Sequence, residues 1–327
     1  MARTADRPFR ASAEQQALWP QISGNTLNGL GEVEARRPSP IYWHSPGRIP
    51  HGPLQQYMLA RTQRDVPAVA GIAQGLGGRG PKERIPKGKR GRRREAADWT
   101  RRVKDVALRN EADLAGIAAM RPDWVFDGYE ADFPWMIVLG LAMDHTELAA
   151  APEPPSVIEV MRQYNRGTRA ARALADWILG QGYEALAHGG PQAGPALMIP
   201  AALQAGFGEL GKHGSIINRE YGSSFRLASV LTDMPLAADR ADTFGADGFC
   251  ENCRVCARAC PPAAISHEKQ LVRGSTKWYV DFDACLSYFN ESYGCGICIA
   301  VCPWSRPGIA TNLIEKLSRR RQTSEKQ

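Results

Sequence analysis

Eight cysteines in the last quarter of the chain are the residues whose type and spacing most clearly indicate chemistry. They form two runs, Cys250-x2-Cys253-x2-Cys256-x3-Cys260 and Cys285-x9-Cys295-x2-Cys298-x3-Cys302. A proline, Pro261 or Pro303, follows the last cysteine of each run. Thiolates at this spacing bind iron–sulfur clusters, and each four-iron cluster takes four of them. The sequence therefore predicts two such clusters with no cysteine left over.

The first run has the ligand pattern of bacterial ferredoxins with two clusters, in which the fourth cysteine of a run binds the other cluster. We therefore predict that cluster one is held by Cys250, Cys253, Cys256 and Cys302. Cluster two is then held by Cys260, Cys285, Cys295 and Cys298. The first cysteine of the second run stands ten positions before Cys295, which indicates an inserted loop and not a lost ligand.

Two other uses of cysteine fit this segment less well. Disulfides are typical of short secreted chains, whereas these cysteines are confined to one part of a longer chain without a signal peptide. A pair of zinc sites is the second alternative, since Cys-x2-Cys is also a zinc-binding spacing. Zinc sites do not need the x3-Cys-Pro ending, which occurs twice here, so we prefer the iron–sulfur interpretation.

The length of 327 residues exceeds what the cysteine segment needs. Roughly 250 further residues are enough for one domain with its own core and an extension. The composition, 43% hydrophobic and 23% charged, is ordinary for a globular protein. The longest apolar stretch, Trp135–Met143, is about half of what a membrane span requires. Residues 1–16 are polar and lack an export signal, so we expect a cytoplasmic protein without a membrane span.

The net charge of +7 is concentrated in one stretch. Between Arg79 and Arg109 there are thirteen Lys or Arg residues against four Asp or Glu, with the highest density from Lys87 to Arg94. Such a stretch could bind nucleic acid or an acidic protein. It lacks interleaved aromatic residues, so a solvated linker is the simpler interpretation.

Composition and apolar spacing divide the chain into four segments. Residues 1–97 are rich in proline and glycine, which disfavours long helices and strands, although their aromatic residues indicate packing on a core. Residues 98–243 mix helical and strand patterns and predict an α/β (α+β) layer domain. Residues 244–310 form the predicted cluster domain, and residues 311–327 a polar tail.

Periodicity predicts six elements in the second segment. They are a helix over Trp99–Met120, a strand over Trp135–Met143, a helix capped by Ser156 and ending near Gly180, a strand over Tyr183–Ala187, a short helix over Pro200–Ala205 and a strand over Phe225–Leu231. The stretch from Trp135 is apolar throughout, as expected for a strand buried on both faces.

Gly206-x-Gly208-x-x-Gly211 is formally a dinucleotide-binding motif, but a helix precedes it where a strand would be needed. The glycines instead predict a loop whose backbone allows close approach of a large flat ligand or of another chain segment. A tight turn without a ligand remains the alternative. The six histidines show no spacing typical of a metal site.

The residues from Gly206 to Ser305 resemble the reductive dehalogenases and, more distantly, the epoxyqueuosine reductases. The resemblance rests on Gly206–Gly214, Glu220–Gly222, Phe225–Leu236, the two cysteine runs and Gly294–Ser305. It implies a nitroreductase-like α/β domain that binds base-off cobalamin, followed by a ferredoxin-like domain with two [4Fe-4S] clusters. The implied corrinoid contacts are Gly206, Gly208, Gly211, Lys212, Gly214 and Tyr221. No Asp-x-His-x-x-Gly motif for a histidine below the cobalt is present, in agreement with these families.

The same resemblance implies a catalytic pair. Tyr164 would protonate the substrate carbon, and Arg226 would stabilise the resulting phenolate. From the residues alone, a packed tyrosine on the apolar face of its helix is the commoner explanation of Tyr164. Arg226 could instead pair with Glu220 or hold a cofactor side chain.

The activity implied is removal of halide from a small organohalide, with an external ferredoxin, flavodoxin or reductase as electron donor. The basic stretch is a candidate docking surface for such a donor. An epoxyqueuosine-reductase-like enzyme acting on transfer RNA is one alternative. Arg169 stands where that family's acidic residue would be expected, so we do not expect a nucleic-acid partner. The other alternative is an electron-transfer protein without a corrinoid.

Overall fold

The computed structural model describes residues 9–76, 94–192 and 194–324. The strands are β1 (Leu114–Ala119), β2 (Trp135–Ala142), β3 (Ala185–His188), β4 (Glu209–Leu210), β5 (Ile216–Ile217), β6 (Phe225–Thr232), β7 (Gln270–Val272) and β8 (Ser275–Lys277). The helices are α1 (Ala13–Ala17), α2 (Gly24–Asn28), α3 (Gly52–Asp65), α4 (Pro67–Leu76), α5 (Ala96–Arg109), α6 (His145–Leu148), α7 (Pro154–Gly180), α8 (Met198–Gln204), α9 (Ala246–Asn252), α10 (Val255–Ala259), α11 (Phe282–Glu291), α12 (Ile297–Ala300) and α13 (Ile309–Ser324). Of the predicted docking stretch, Arg79–Arg109, the part up to residue 93 lies outside the described residues.

A four-stranded antiparallel sheet in the order β1-β2-β6-β3 organises the middle of the chain. Helices α5 and α7 cover one face, where Leu139 and Leu141 pack with Leu174. Helix α8 and Phe207 cover the other face, where Val138 is buried. Both faces of β2 are therefore removed from water, which explains its unbroken apolar sequence. The predicted mixture of helices and strands is confirmed.

The helix predicted over Trp99–Met120 is wrong in its second half. Helix α5 ends at Arg109, and Glu111 turns the chain with a φ of 73° before β1 begins at Leu114. Ile117 and Ala118 are both buried but lie in different cores, on opposite faces of the sheet. Alternation of this kind is a strand property, and it was obscured by the alanines around it.

The other predicted elements are present with small shifts. The strands β2 and β6 and the short helix α8 occupy the expected positions. Helix α7 begins at Pro154 and is capped by Glu153, so Ser156 lies inside the first turn and is not the cap that the sequence predicted. Proline is favoured at a first helical position because its missing N–H is not needed there.

The N-terminal segment contains a 14-residue helix, α3, so the prediction that long helices are disfavoured there is wrong. Pro53 lies in its first turn, where proline is tolerated. The segment contacts both other parts of the molecule. Asn25 donates to Asp281 beside α11, whereas Arg37 donates to the carbonyls of Val125, Phe126 and Tyr129.

The cysteine-bearing segment and the α/β layer share a hydrophobic core. Ile217 of β5 packs with Cys250, Trp278 and Trp304. The backbones also meet: Gly222 has a φ of 55°, and a Cβ added to it would stand 2.0 Å from the Trp304 carbonyl oxygen. The C-terminal segment, expected to be a polar tail, forms α13, whose apolar side packs into this core through Leu313, Ile314 and Leu317.

Throughout the described ranges, even the 27-residue α7 lacks the apolar length that crossing a membrane would take, and the shorter helices lack it too.

Candidate functional site

Four thiols from both cysteine runs surround one cavity. Cys250, Cys253, Cys256 and Cys302 all line this cavity. The remaining wall consists of Lys212, His213, Phe249, Pro303 and Trp304. This is the ligand set predicted for cluster one, including the crossing of Cys302 from the second run. The fold therefore brings together cysteines about fifty positions apart.

Three thiols of this first set, those of Cys250, Cys256 and Cys302, are buried and receive backbone hydrogen bonds, whereas Cys253 is half-buried. Burial raises the pKa of Cys250 to about 12, while the Lys212 amide, which donates to it, acts in the opposite direction. Burial likewise raises the pKa of Cys302 to about 11, opposed by the amides of Trp304 and Ser305. Ligand thiols must lose their protons when a metal binds, and amide donors stabilise the sulfur charge that results.

The second set also forms one neighbourhood. Burial raises the pKa of Cys285 to about 12, and the thiols of Cys295 and Cys260 raise it further. Burial raises the pKa of Cys298 as well, with Cys295 and Cys285 adding to the effect. Cys295 itself has a φ of 46° between two glycines with positive φ, a left-handed turn that aims the amides of Gly296 and Ile297 at its sulfur.

Cluster two lies against the long helix of the α/β layer. Cys298 packs with Val160 of α7 around a small core formed by Met143, Leu148 and Ile299. Tyr164 follows Val160 by one helical turn, about 6 Å along the axis. The second ligand set and the predicted catalytic tyrosine are therefore close in space.

Tyr164 and Arg226 are brought together by the packing of α7 on β6. The guanidinium carbon of Arg226 lies 5.5 Å from the centre of the Tyr164 ring. The Nε of Arg226 is buried and has no hydrogen-bond partner in the described part of the chain. The loop after β3 covers the ring, since a Cβ at Gly190 would stand 2.0 Å from Tyr164 Cδ1. The alternative pairing of Arg226 with Glu220 is not among the ion pairs of the described residues.

The glycine loop makes its closest contacts with its own chain. A Cβ at Gly208 would stand 2.0 Å from the Ile217 carbonyl oxygen, and one at Gly206 would stand 2.9 Å from that of Arg240. Gly211 lies in the turn between β4 and β5, which pair as a hairpin. The sequence predicted that a large flat ligand or another chain segment would lie close to this loop. In the structure, another chain segment lies close to it.

Two residues of this loop face cluster one. Lys212 and His213 line the cavity of the first cysteine set, a placement that sequence reasoning missed. The Nδ1 of His213 accepts from the Ser215 amide at 3.2 Å, so its Nε2 donates to Ser223 Oγ at 3.1 Å. Burial lowers the pKa of His213 to about 4, which keeps the ring neutral. Their position directly after the glycines was the only signal in the sequence.

Of the other predicted corrinoid contacts, Gly214 is in a left-handed turn, where an added Cβ would stand 3.3 Å from Val280 Cγ2. Tyr221 is half-buried and packs against the core on the sheet face that α8 and Phe207 cover. Burial raises its pKa to about 12, together with its hydrogen bond to Glu220.

Arg169, at the position of the acid expected in epoxyqueuosine reductases, is on the outside of α7. Its guanidinium makes two hydrogen bonds to Glu111, at 2.8 and 2.6 Å. Arg169 follows Tyr164 by five residues, and the rotation of the helix over that distance puts the two side chains on different sides of α7.

Comparisons with known proteins agree with this geometry. Residues 249–305 match the family described as a 4Fe-4S dicluster domain. A tetrachloroethene reductive dehalogenase of Sulfurospirillum multivorans is 29% identical over 263 residues, which are 66% of this chain and 52% of the relative. One from Desulfitobacterium hafniense is 33% identical over 209 residues, 59% of this chain and 37% of the relative. An epoxyqueuosine reductase of Escherichia coli is 35% identical over 129 residues, 34% and 31% of the respective chains.

Among solved structures, a catabolic reductive dehalogenase in complex with 3-bromo-4-hydroxybenzoic acid superposes with a TM-score of 0.70. Its identity is 23%, and the match covers 93% of this chain and 46% of that one. The resemblance inferred from the sequence and the two-cluster domain are thus confirmed. The chain spans about half the length of the first of these curated relatives.

Proposed function

We propose that this chain, similar in sequence and fold to reductive dehalogenases, is a cobalamin-dependent oxidoreductase that removes halide from a small organohalide. The observation that carries the proposal is the pairing of Tyr164 with Arg226, 5.5 Å from guanidinium carbon to ring centre. The cysteine sets supply the path for electrons. Replacement of a halogen by hydrogen takes two electrons and one proton and releases halide, so both an electron path and a proton donor are needed.

The residues near this pair fit a corrinoid in one observed respect. The buried Nε of Arg226 lacks a partner within the described residues, and a polar group from outside the chain would satisfy it. Gly206, Gly208, Gly211, Gly214 and Tyr221 remain proposed contacts, whereas the Lys212 side chain is buried beside the first cysteine set and is not proposed as one. Gly206 and Gly208 would contribute to corrinoid binding by shaping the loop, because backbone oxygens already occupy the space beside their Cα atoms. When bound, the corrinoid would supply the cobalt chemistry that breaks the carbon–halogen bond.

In this proposal Tyr164 holds the proton at its phenol oxygen and gives it to the substrate carbon. Arg226 carries a permanent charge and stabilises the negative oxygen that remains. The loop at Gly190 packs on the Tyr164 ring, which limits its rotation and keeps water from one side of it. The cysteine sets would hold clusters that supply single electrons, and Cys298 of the second set packs on the same small core as Val160, one helical turn before Tyr164.

The test is Tyr164→Phe in anaerobically reconstituted protein. We expect the variant to keep its iron and corrinoid and to lose turnover, because only the phenol proton is removed. Halide release with a reduced chemical donor measures the activity. Full activity of Tyr164→Phe would remove Tyr164 as the acid.

An absorbance spectrum separates this function from that of an electron-transfer protein. Two clusters alone give a broad brown band, whereas a bound corrinoid adds sharper bands that shift on reduction. We expect about eight irons, as two four-iron clusters require, and one corrinoid per chain. If the protein binds no corrinoid, whether oxidised or reduced, the result would favour the electron-transfer alternative.

We further infer that an acidic ferredoxin, flavodoxin or separate reductase supplies the electrons and that the protein works in the cytoplasm, where such donors are found. The support is the concentration of positive charge between Arg79 and Arg109. Acidic carriers are steered by such charge.

A further inference from the structure

Lys212 is a buried lysine at the wall of cluster one. Its side chain is among the largest fully buried ones, with 1% of its surface exposed. The ammonium nitrogen lies 4.7 Å from the centre of the Trp278 ring and donates to the Glu251 carbonyl oxygen at 3.3 Å. Within the described residues no carboxylate forms an ion pair with it. Lys212 also lines the cavity shared by the four thiols of the first set.

A buried ammonium is costly unless an opposite charge accompanies it. A neighbouring lysine shows the contrast. Lys269 stacks on the same Trp278 ring at 5.3 Å, but it is partly exposed and pairs with Asp247 at 2.6 Å. Lys269 thus has water and a carboxylate, whereas Lys212 has a carbonyl and an aromatic face. Neither of these balances a full charge.

The missing negative charge lies on the other side of the same cavity. Four thiolates around a [4Fe-4S] core carry a net negative charge, which grows by one when the cluster accepts an electron. The Lys212 amide already donates to Cys250, so the backbone and the side chain of this residue both lie beside the first cysteine set. The ammonium also acts on Cys256, whose pKa is raised by burial and lowered in part by Lys212.

We propose that Lys212 is the fixed counter-charge of cluster one and sets its reduction potential. Because the reduced cluster is more negative than the oxidised one, the ammonium stabilises the reduced form more and raises the potential. Trp278 contributes by covering the ammonium and excluding water, and it is itself held by donation from its Nε1 to Asp247 at 2.7 Å. Lys212 is a tuning residue in this proposal and touches no substrate.

The proposal depends on the dicluster domain and on no dehalogenase activity, so it is tested without substrate. Reconstituted wild-type protein, Lys212→Met and Lys212→Arg are titrated potentiometrically under anaerobic conditions, and each cluster is followed by electron paramagnetic resonance. The signals are assigned with Cys253→Ser and Cys298→Ser, which each perturb one ligand set.

In Lys212→Met we expect the potential of cluster one to fall by at least about 59 mV, a tenfold change in the ratio of reduced to oxidised cluster for one electron. Cluster two should change less. Lys212→Arg, which keeps the charge, should restore most of the wild-type potential. Lys269→Met is the matched control, since it removes a lysine from the same indole ring whose charge is already balanced, and it should leave cluster one unchanged.

Lys212→Gln is the second neutral variant if Lys212→Met binds less iron. Selective loss of cluster one in both neutral variants, with cluster two retained and Lys212→Arg fully loaded, supports the counter-charge. An unchanged potential with both clusters present would overturn the proposal. Loss of both clusters in all three variants would also overturn it, because that pattern indicates a structural role for the side chain.

Discussion

Arg226 illustrates how a single side chain can be placed for chemistry at the cost of its own hydrogen bonding. It lies on a central strand opposite Leu141, and its Nε is buried without a partner in the described residues. Most buried polar groups in folded proteins find a partner, and an exception in a candidate site points to a group that arrives with the ligand. The only ring it contacts through its guanidinium among the described residues is that of Tyr164.

Replacing Arg226 by Gln should lower kcat by about 10²–10³-fold, the range found when one preorganised stabiliser of developing charge is removed. Arg226→Lys, which keeps a charge, should lose less. Steady-state kinetics with a chemical reductant measure both. A Gln variant as fast as the wild type would show that the charge of Arg226 is not used in the slow step.

His188, at the end of β3, makes stability depend on pH. Its Nε2 is buried without a partner among the described residues, and burial lowers its pKa from 6.5 to about 4. Between these values the unfolded chain binds a proton that the folded one does not, so stability falls as the pH decreases from about 6.5 to about 4. His188→Phe should therefore lose less Tm between pH 7.5 and pH 5 than the wild type.

The exposed His267 provides the control for this measurement. His267→Gln should show the wild-type change in Tm, because a side chain in water has nearly the same environment in both states. If His188→Phe followed the wild type over the same range, another buried histidine would have to carry the pH dependence.

At the scale of helices and strands, the N-terminal segment packs on α11, and we expect it to shield cluster two. Gln15 is fully buried and donates to the Ser287 carbonyl and to Glu291, both on α11, and it accepts from Asn290. Helix α11 also carries Cys285. The segment therefore fixes the helix that supplies one thiol of the second set.

Gln15→Ala should destabilise the protein by about 1–3 kcal/mol, because it leaves buried polar partners unsatisfied. Iron should leave cluster two faster than cluster one when a chelator is added, as followed by the loss of each cluster's spectral signal. Gln16→Ala is the matched control, since Gln16 is exposed and its side-chain amide donates to the nearby Ala11 carbonyl. Equal iron loss from Gln15→Ala and Gln16→Ala would contradict a shielding role.

The sequence predicted best those elements whose residue pattern has a single physical explanation. The apolar run of β2 and the long apolar face of α7 follow from burial, and the cysteine sets follow from ligand spacing. Strand β1 was taken for helix because alanines fit either period, and α3 was missed because its glycine and proline stand at its start. The meeting of Tyr164 with Arg226 depends on tertiary packing, and the sequence indicated it only through a resemblance.

For the molecule as a whole, the placement of charge decides where a donor can dock. In the described part of the basic stretch, Arg94, Arg101 and Arg102 all contact Asp98, and Lys104 pairs with Asp239. Arg94, Arg101 and Arg102 share the single carboxylate of Asp98, so only part of the charge in this region is balanced. Most of the excess lies between Arg79 and Arg93, where eight Lys or Arg residues stand against one Glu.

Neutralising Lys87, Lys89 and Arg90 together should slow cluster reduction by an acidic bacterial ferredoxin, by about tenfold at low salt, and should flatten the salt dependence. Stopped-flow absorbance measures the rate. Reduction by dithionite should stay the same, and Lys104→Gln, which removes a charge that is paired with Asp239, should have little effect. An unchanged rate and salt dependence with the ferredoxin would exclude this docking surface.

The contact of Gly222 with Trp304 bears on how such a protein can be re-engineered. With the two backbones so close that a methyl group does not fit between them, the C-terminal unit is not a cassette that can be exchanged for an unrelated redox module. A chimera would have to reproduce this junction, glycine included. Diversification of the scaffold is accordingly easier through its loops than through shuffling of whole units.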